Sequence, residues 1–229
     1  MKLGVLFSSG KDSCLAMQLA KEEGHEIVCL ISLQSENPYS WMFHTPNVQL
    51  VEEQAKCLEL PLIIKKTKGE KEKELLDLRE AISEAREKYP LDGIVTGAVF
   101  SRYQWTRVDK ICGDLNIVCL SPLWHIDQEQ ILRDLISKRF HVVLSSIACD
   151  GLTRDFLGKR IDTDLIKKLV ELNKKIGINV AGEGGEYETL VLDCPMFKKK
   201  IQIEDAETMM ENENTGQYVV KRIKLVEKE

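Results

Sequence analysis

In the first 120 residues, apolar runs of strand length alternate with amphipathic stretches of helix length, and this alternation limits the fold more than any other feature. Residues 3–7, 26–32, 62–64, 93–96 and 117–120 read as strands. Residues 12–23, 47–58, 70–88 and 103–115 read as helices. The second puts Val48, Val51, Ala55 and Leu58 on one face, and the third has Leu75, Leu78, Ile82 and Ala85 on its buried stripe. Strands joined by helices pair in parallel through right-handed crossovers. Near-continuous apolar strands mean that both sheet faces are covered. Open sheets of this kind bind ligands beyond the carboxyl ends of their strands.

The pattern then changes. Residues 128–138 and 163–176 read as helices, 141–145, 190–192, 200–203 and 219–226 as strands, and 149–161 as an irregular stretch with Gly151 and Gly158. The expected architecture is α/β, a Rossmann-like parallel-sheet domain over residues 1–125 followed by a smaller α/β domain over residues 126–229. A chain of 229 residues with 43% apolar and 30% charged side chains buries a sizeable core without staples.

The net charge of −5 lacks the basic field of a nucleic-acid binder, so no nucleic-acid partner is expected. No run approaches the roughly 18 apolar residues that span a bilayer, so no membrane partner is expected either. The opening Met1-Lys2-Leu3-Gly4 enters strand pattern at once, without a signal segment. Seven scattered cysteines without a Cys-x-x-Cys pair suit reduced thiols and a cytoplasmic location. Cys149 and Cys194 stay open as nucleophiles, although a free cysteine more often serves as a small core residue.

The loop Ser8-Ser9-Gly10-Lys11-Asp12-Ser13 follows the first strand and opens the first helix. The first amides of a helix lack partners within it, and its dipole is positive there, so such an end binds phosphate. Gly10 permits close approach, and Lys11 adds a point charge. The alternative is a capped helix start. Asp12, rather than Ser or Thr, follows Lys11, so this is not a Walker loop. It resembles the PP-loop, Ser-Gly-Gly-Lys-Asp-Ser, of ATP pyrophosphatases, which cut ATP between its α and β phosphates. Ser9 stands where that pattern has glycine. Its Cβ disfavours positive φ, which predicts a slightly reshaped loop.

A second loop, Gly182-Glu183-Gly184-Gly185-Glu186-Tyr187-Glu188-Thr189, has the opposite character. Carboxylates repel phosphate and suit a cation, a metal or a proton donor. Tyr187 offers a π face to an alkylammonium group. The alternative is a flexible acidic surface loop. Thr96-Gly97-Ala98 follows the fourth strand, on the edge that carries the phosphate loop. Arg107 either reaches a phosphate or carboxylate or lies on the surface, and Asp193 either binds metal or caps a turn. His44, in Trp41-Met42-Phe43-His44, is either an acid–base group or a packing residue.

Together, residues 8–13, Met42-Phe43-His44, Thr96-Gly97-Ala98, Tyr103-Gln104, Arg107-Val108, and residues 182–189 with Asp193 and Pro195 resemble the diphthine–ammonia ligase family across almost the whole chain. That resemblance implies a HUP-type nucleotide-binding domain with a smaller α/β domain. It also implies amidation of diphthine on elongation factor 2 with ammonium, through an acyl-adenylate, releasing AMP and pyrophosphate. ATP and magnesium are the implied cofactors. Ser8, Ser9, Gly10, Lys11, Asp12 and Ser13 would hold phosphate, with Asp12 on the metal, and Ser32, Thr96, Gly97 and Ala98 would frame adenosine. Tyr103, Gln104, Arg107, Gly184, Gly185, Tyr187 and Thr189 would meet the acceptor, and Lys11, Asp12, His44, Glu183, Glu186 and Glu188 would act in catalysis. The alternatives are a tRNA-modifying PP-loop enzyme and an ATP-binding module without turnover. A homo-oligomer is left open.

Overall fold

The computed structural model describes residues 1–35, 50–69 and 73–228. His44 and its neighbours, the first residues of the helix expected at 47–58, and the start of the helix expected at 70–88 lie outside that description.

The expected alternation forms a five-stranded sheet of β1 (Lys2–Leu6), β2 (Glu26–Ser35), β3 (Leu62–Thr67), β4 (Gly93–Val95) and β5 (Val118–Leu120). Its order is β3-β2-β1-β4-β5, and every pairing is parallel. The order reverses between β1 and β4, so the loops that follow these two strands diverge and leave a crevice. Alternate residues of each strand feed opposite faces. On one face Cys29, Ile31, Leu33, Ile63 and Ile94 meet Leu78, Ala81, Ile82 and Ala85 of α3 (Lys73–Lys88) and Val108, Ile111 and Cys112 of α4 (Arg102–Asp114). On the other, Leu3, Val5 and Leu30 meet Cys14, Leu15 and Met17 of α1 (Lys11–Glu22) and Val51 and Ala55 of α2 (Val51–Leu58).

The second half carries α5 (Gln128–Ser137), β6 (His141–Ala148), α6 (Thr163–Ile176), β7 (Tyr187–Asp193), β8 (Lys199–Asn212) and β9 (Thr215–Glu227). Its strands form a separate antiparallel sheet of order β7-β6-β9-β8. Asp127 and Asp162 cap α5 and α6 by accepting from Gln130 N (3.0 Å) and Leu165 N (2.8 Å). The strands expected at 200–203 and 219–226 are segments of one long hairpin. Much of it is exposed on both faces, so no apolar alternation marks its full length. Ion pairs across it, Lys199–Glu227 (2.8 Å), Arg222–Glu204 (3.1 Å) and Lys221–Glu207 (3.3 Å), take the place of that signal. The strand expected at 190–192 begins earlier, so Tyr187, Glu188 and Thr189 belong to β7 rather than to a loop.

The two halves share a core. Leu3, Val5, Leu15 and Met17 lie in one buried apolar cluster with Leu132, Leu144, Leu190, Val191 and Phe197. No described helix is long and apolar enough to cross a membrane.

Candidate active site

β1 ends at Leu6, and Phe7 N donates to Ile31 O (2.8 Å), which keeps the chain beside β2 as it leaves the strand. Ser9 takes φ 70°, the left-handed conformation a glycine would adopt there. Position 9 thus places a serine in the φ region that favours glycine. Its carbonyl is held from two sides, by Val191 N (3.1 Å) and Gln54 Nε2 (3.1 Å). Gly10 is extended and opens α1 without a side-chain cap. Ser13 Oγ donates to Gly10 O (3.1 Å) and accepts from Ser8 N (3.3 Å), stitching the loop to the helix. Lys11 is buried, and its Nζ meets Asp12 Oδ2 at 2.8 Å.

Ser9 Oγ, Asp12 Oδ1 and Ser32 Oγ are buried with no hydrogen-bond partner among the described residues. A buried polar atom without a partner costs stability. These three lie on the phosphate loop, at the start of α1 and on β2, the strand next to β1. They suit an oxygen-rich ligand and its cation.

Thr96, Gly97 and Ala98 leave β4 beside this loop. A Cβ on Gly97 would lie 2.8 Å from Asp12 C and Ser13 N, so the β4 loop rests flush on the first turn of α1. Ser101 caps α4 by accepting from Gln104 N (3.3 Å). Arg107 lies over the Tyr103 ring at 3.5 Å and donates to Tyr103 O (3.3 Å).

The acidic segment faces these loops. Gly182 (φ 76°) and Gly185 (φ 83°) supply two left-handed turns. Between them, Glu183 Oε2 accepts from Phe100 N (3.2 Å), which ties this segment to the β4 loop. The Glu186 carboxylate is saturated by its own loop, accepting from Asn179 N (2.7 Å), Asn179 Nδ2 (2.7 Å) and Gly184 N (2.8 Å). Thr189 Oγ1 accepts from Lys11 N (3.0 Å). The first amide of α1 is thus satisfied by β7, and the two segments of opposite charge lie side by side.

Electrostatics follow from that contact. Burial pushes Glu188 up to about 7, opposed by Lys11 and reinforced by Asp12 and Glu183. Burial, then Asp12, raises Glu183 as well, while Lys11 and the Phe100 amide oppose. Carboxylates brought together away from water disfavour each other's charge.

The structure corrects one expectation. The Tyr187 ring offers no open π face to an acceptor, because it is buried, its hydroxyl donates to Val180 O (2.7 Å), and the cation facing the ring is Lys11 Nζ at 5.6 Å. Cys194 is pushed up to about 12 by burial, and Cys149 is also raised by burial, so neither is held as a thiolate nucleophile. Asp193 pairs with Lys228 at 2.5 Å.

Two features escaped the sequence reading. Gln54 is fully buried and reaches both the phosphate loop and β7. Its signal was available, since it is a polar residue three after Val51 and four before Leu58 on an otherwise apolar stripe. The second is a chain of rings beside the β4 loop. Phe100 meets His125 edge-on at 5.2 Å, His125 meets Trp124 at 4.8 Å, and Trp124 stacks on Trp105 at 5.2 Å. These residues come from separate segments, and only folding reveals their contact.

Comparison with known proteins adds an independent finding. Residues 1–118 match the family described as diphthamide synthase N-terminal domain, and residues 127–226 match the diphthamide synthase C-terminal domain. The chain is 37% identical to a diphthine–ammonia ligase of Homo sapiens over 229 residues, covering 92% of this chain and 85% of the relative. It is 36% identical to the Mus musculus protein of the same name, with the same coverage. It is 38% identical to the Schizosaccharomyces pombe protein of that name over 225 residues, covering 91% of this chain but spanning 37% of that relative's length. Among solved structures, one described as a predicted subunit of tRNA methyltransferase from Methanocaldococcus jannaschii aligns over 85% of this chain and 98% of its own, at 19% identity and a TM-score of 0.44.

Proposed function

The chain belongs to the diphthamide synthase family, and from that premise we propose that it is a diphthine–ammonia ligase, amidating diphthine on elongation factor 2 at the expense of ATP. The observation that carries the reading is the hydrogen bond from Lys11 N to Thr189 Oγ1, which joins the phosphate loop to the acidic strand. A ligase of this kind must hold a triphosphate and a cationic nitrogen source within one cleft.

Residues 1–125 supply the nucleotide side of this proposal and residues 126–229 the acceptor side. The phosphates lie over Ser8, Ser9, Gly10, Lys11 and Ser13, and adenosine is framed by Ser32 and Thr96, Gly97 and Ala98. A carboxylate is a poor electrophile because its leaving group would be oxide. The diphthine carboxylate attacks the α-phosphorus, and the bond to the β-phosphate oxygen breaks, releasing pyrophosphate and leaving an acyl-adenylate. Lys11 and the first turn of α1 stabilise the charge that develops on the departing oxygens. Magnesium would offset phosphate charge. Among the described residues no three His, Cys, Asp or Glu side chains group to hold a metal, so the ion would use Asp12 and take its remaining ligands from phosphate and water.

Ammonia then attacks the acyl carbon and AMP departs. Glu188, titrating near neutrality, accepts the proton that ammonium must lose. Glu183 adds negative charge at the mouth of the site. Glu186, with three donors already on its carboxylate, positions the loop. Gly184 and Gly185 are exposed at the acceptor side, where Tyr103, Gln104 and Arg107 also lie in this reading. A substrate in the translation machinery places the reaction in the cytoplasm.

The test is to incubate the protein with ATP, ammonium and elongation factor 2 bearing diphthine. AMP and pyrophosphate should form only when all are present, and the acceptor's mass should change from acid to amide. Stable ATP binding without turnover under those conditions would instead indicate a nucleotide-binding module.

A further inference from the structure

We propose that Gln54 is a positioning residue for nucleotide binding, its carboxamide holding Ser9 in the left-handed conformation that shapes the phosphate loop. This rests on the reading of that loop as the ATP site. Gln54 projects from α2, an element that carries none of the other phosphate-loop or acidic-segment residues, and it is fully buried. Its Nε2 donates to Ser9 O at 3.1 Å and to Val191 O at 2.7 Å, so both amide hydrogens are used. Turning the amide over would set its oxygen against two carbonyls, so the orientation is fixed by its partners. Its Oε1 is buried with no partner among the described residues. What the fold uses at this position is therefore the donor group.

Ser9 is a residue with a Cβ at φ 70°. Left to itself it prefers negative φ. Such a rotation would swing the peptide between Ser9 and Gly10 and turn the amides at the start of α1 away from their target. The pull of Gln54 on Ser9 O, together with Val191 N, opposes it. Glycine at position 9 would adopt the same conformation without help. The clamp and the serine thus form a pair, and the same side chain holds the strand that carries Glu188.

The experiment is a double-mutant cycle read as ATP affinity by calorimetry. Gln54→Leu keeps the volume and removes the donors, so the dissociation constant should rise about tenfold, the scale of one lost buried hydrogen bond. Ser9→Gly removes both the strain and a hydroxyl placed against the phosphates, so its own dissociation constant, whatever its value, is the reference for the second arm of the cycle. Gln54→Leu combined with Ser9→Gly should bind within about threefold of Ser9→Gly alone, since the strained residue is gone. A general packing role for Gln54 predicts no such rescue. The inference is overturned if Gln54→Leu weakens binding as much on the Ser9→Gly background as on the parent, or if Gln54→Leu binds like the parent. Should Gln54→Leu fail to fold, the unaltered protein still decides. The Gln54 side-chain amide protons should exchange slowly by NMR, and exchange at the solvent rate overturns the inference. If the unaltered protein binds no ATP, the site reading fails with it; if it binds and rescue is absent, only the role of Gln54 fails.

Discussion

A carboxylate that titrates near 7 can take a proton from ammonium at cellular pH, and Glu188 is set that way by burial working against Lys11. Its folded value lies above the ordinary carboxylate value of 4.5. The folded state therefore holds this proton more tightly, and the stability linked to Glu188 falls as pH rises from 4.5 through about 7. Glu188→Gln should raise stability at pH 8 by ~1–3 kcal/mol, with the partial exposure of the side chain allowed for, and change it little at pH 4. Thermal melts at the two pH values check this. The same variant should bind ATP normally and lose amidation. Ammonia is more abundant at high pH for both proteins, so the ratio of their rates is the diagnostic quantity, and it should climb through pH 7. Gly97 gives a second prediction at this scale. Its Cβ would strike the backbone of Asp12 and Ser13 at 2.8 Å, and backbone cannot swing aside as a side chain can. Gly97→Ala should therefore weaken ATP binding about tenfold or more, the effect of displacing groups held for phosphate, and calorimetry at equal folded fraction would show it. Lys11→Ala should abolish AMP formation; full retained activity would remove the role given to that lysine. At this scale the sequence singles out Lys11 and Glu188 by their chemistry, and the fold brings the segments that carry them together. It misled for Tyr187, because nothing local reveals that the ring is buried against the chain's own lysine.

Helix and strand bring these residues together through one junction, the start of α1 against β7. Lys11 N donates to Thr189 Oγ1, and Val191 N donates to Ser9 O, from positions two residues apart on the same strand. Thr189→Val keeps the shape and removes the acceptor, leaving a buried amide without a partner. That should cost about 1–3 kcal/mol in urea unfolding and weaken ATP binding in parallel. An unchanged midpoint would mean that water or a shifted neighbour satisfies the amide. The parallel elements were legible because each buries an apolar stripe at its own period, as Leu78, Ile82 and Ala85 of α3 do. The β8–β9 hairpin was legible only in pieces. Met209 and Glu207 face solvent there, Ile201 and Val220 are buried, and cross-strand charge pairs line the exposed part. The acidic segment reads as a loop because three glycines break it, yet its last residues join the sheet that presents them.

Across the whole molecule, the apolar cluster that fills the space between the two sheets makes one core of both halves. Leu15 and Met17 of α1 share it with Leu190 and Val191 of β7 and Phe197 beyond. Sequence pattern placed a change of character near residue 125, and the parallel sheet ends at Leu120 while α5 begins at Gln128. A change in connectivity is visible in sequence because the element spacing changes. A shared core is not, because apolar side chains do not state which half they face. The consequence is cooperative. Urea unfolding should show one transition, with tryptophan fluorescence, which reports on residues 1–125 because every tryptophan falls there, and far-ultraviolet circular dichroism, which reports on both halves, giving the same midpoint. A fragment of residues 1–125 would retain the phosphate-loop sequence but lose Thr189 Oγ1 from Lys11 N and Val191 N from Ser9 O, and it would expose the apolar face of α1. It should therefore aggregate or bind ATP more than about a hundredfold more weakly, as two buried hydrogen bonds and a core face go at once. A soluble fragment with the affinity of the full chain would show that the nucleotide site is built by the first half alone. In that case the junction with β7 would serve only to deliver the acceptor, and Thr189→Val should then impair amidation while leaving ATP affinity intact.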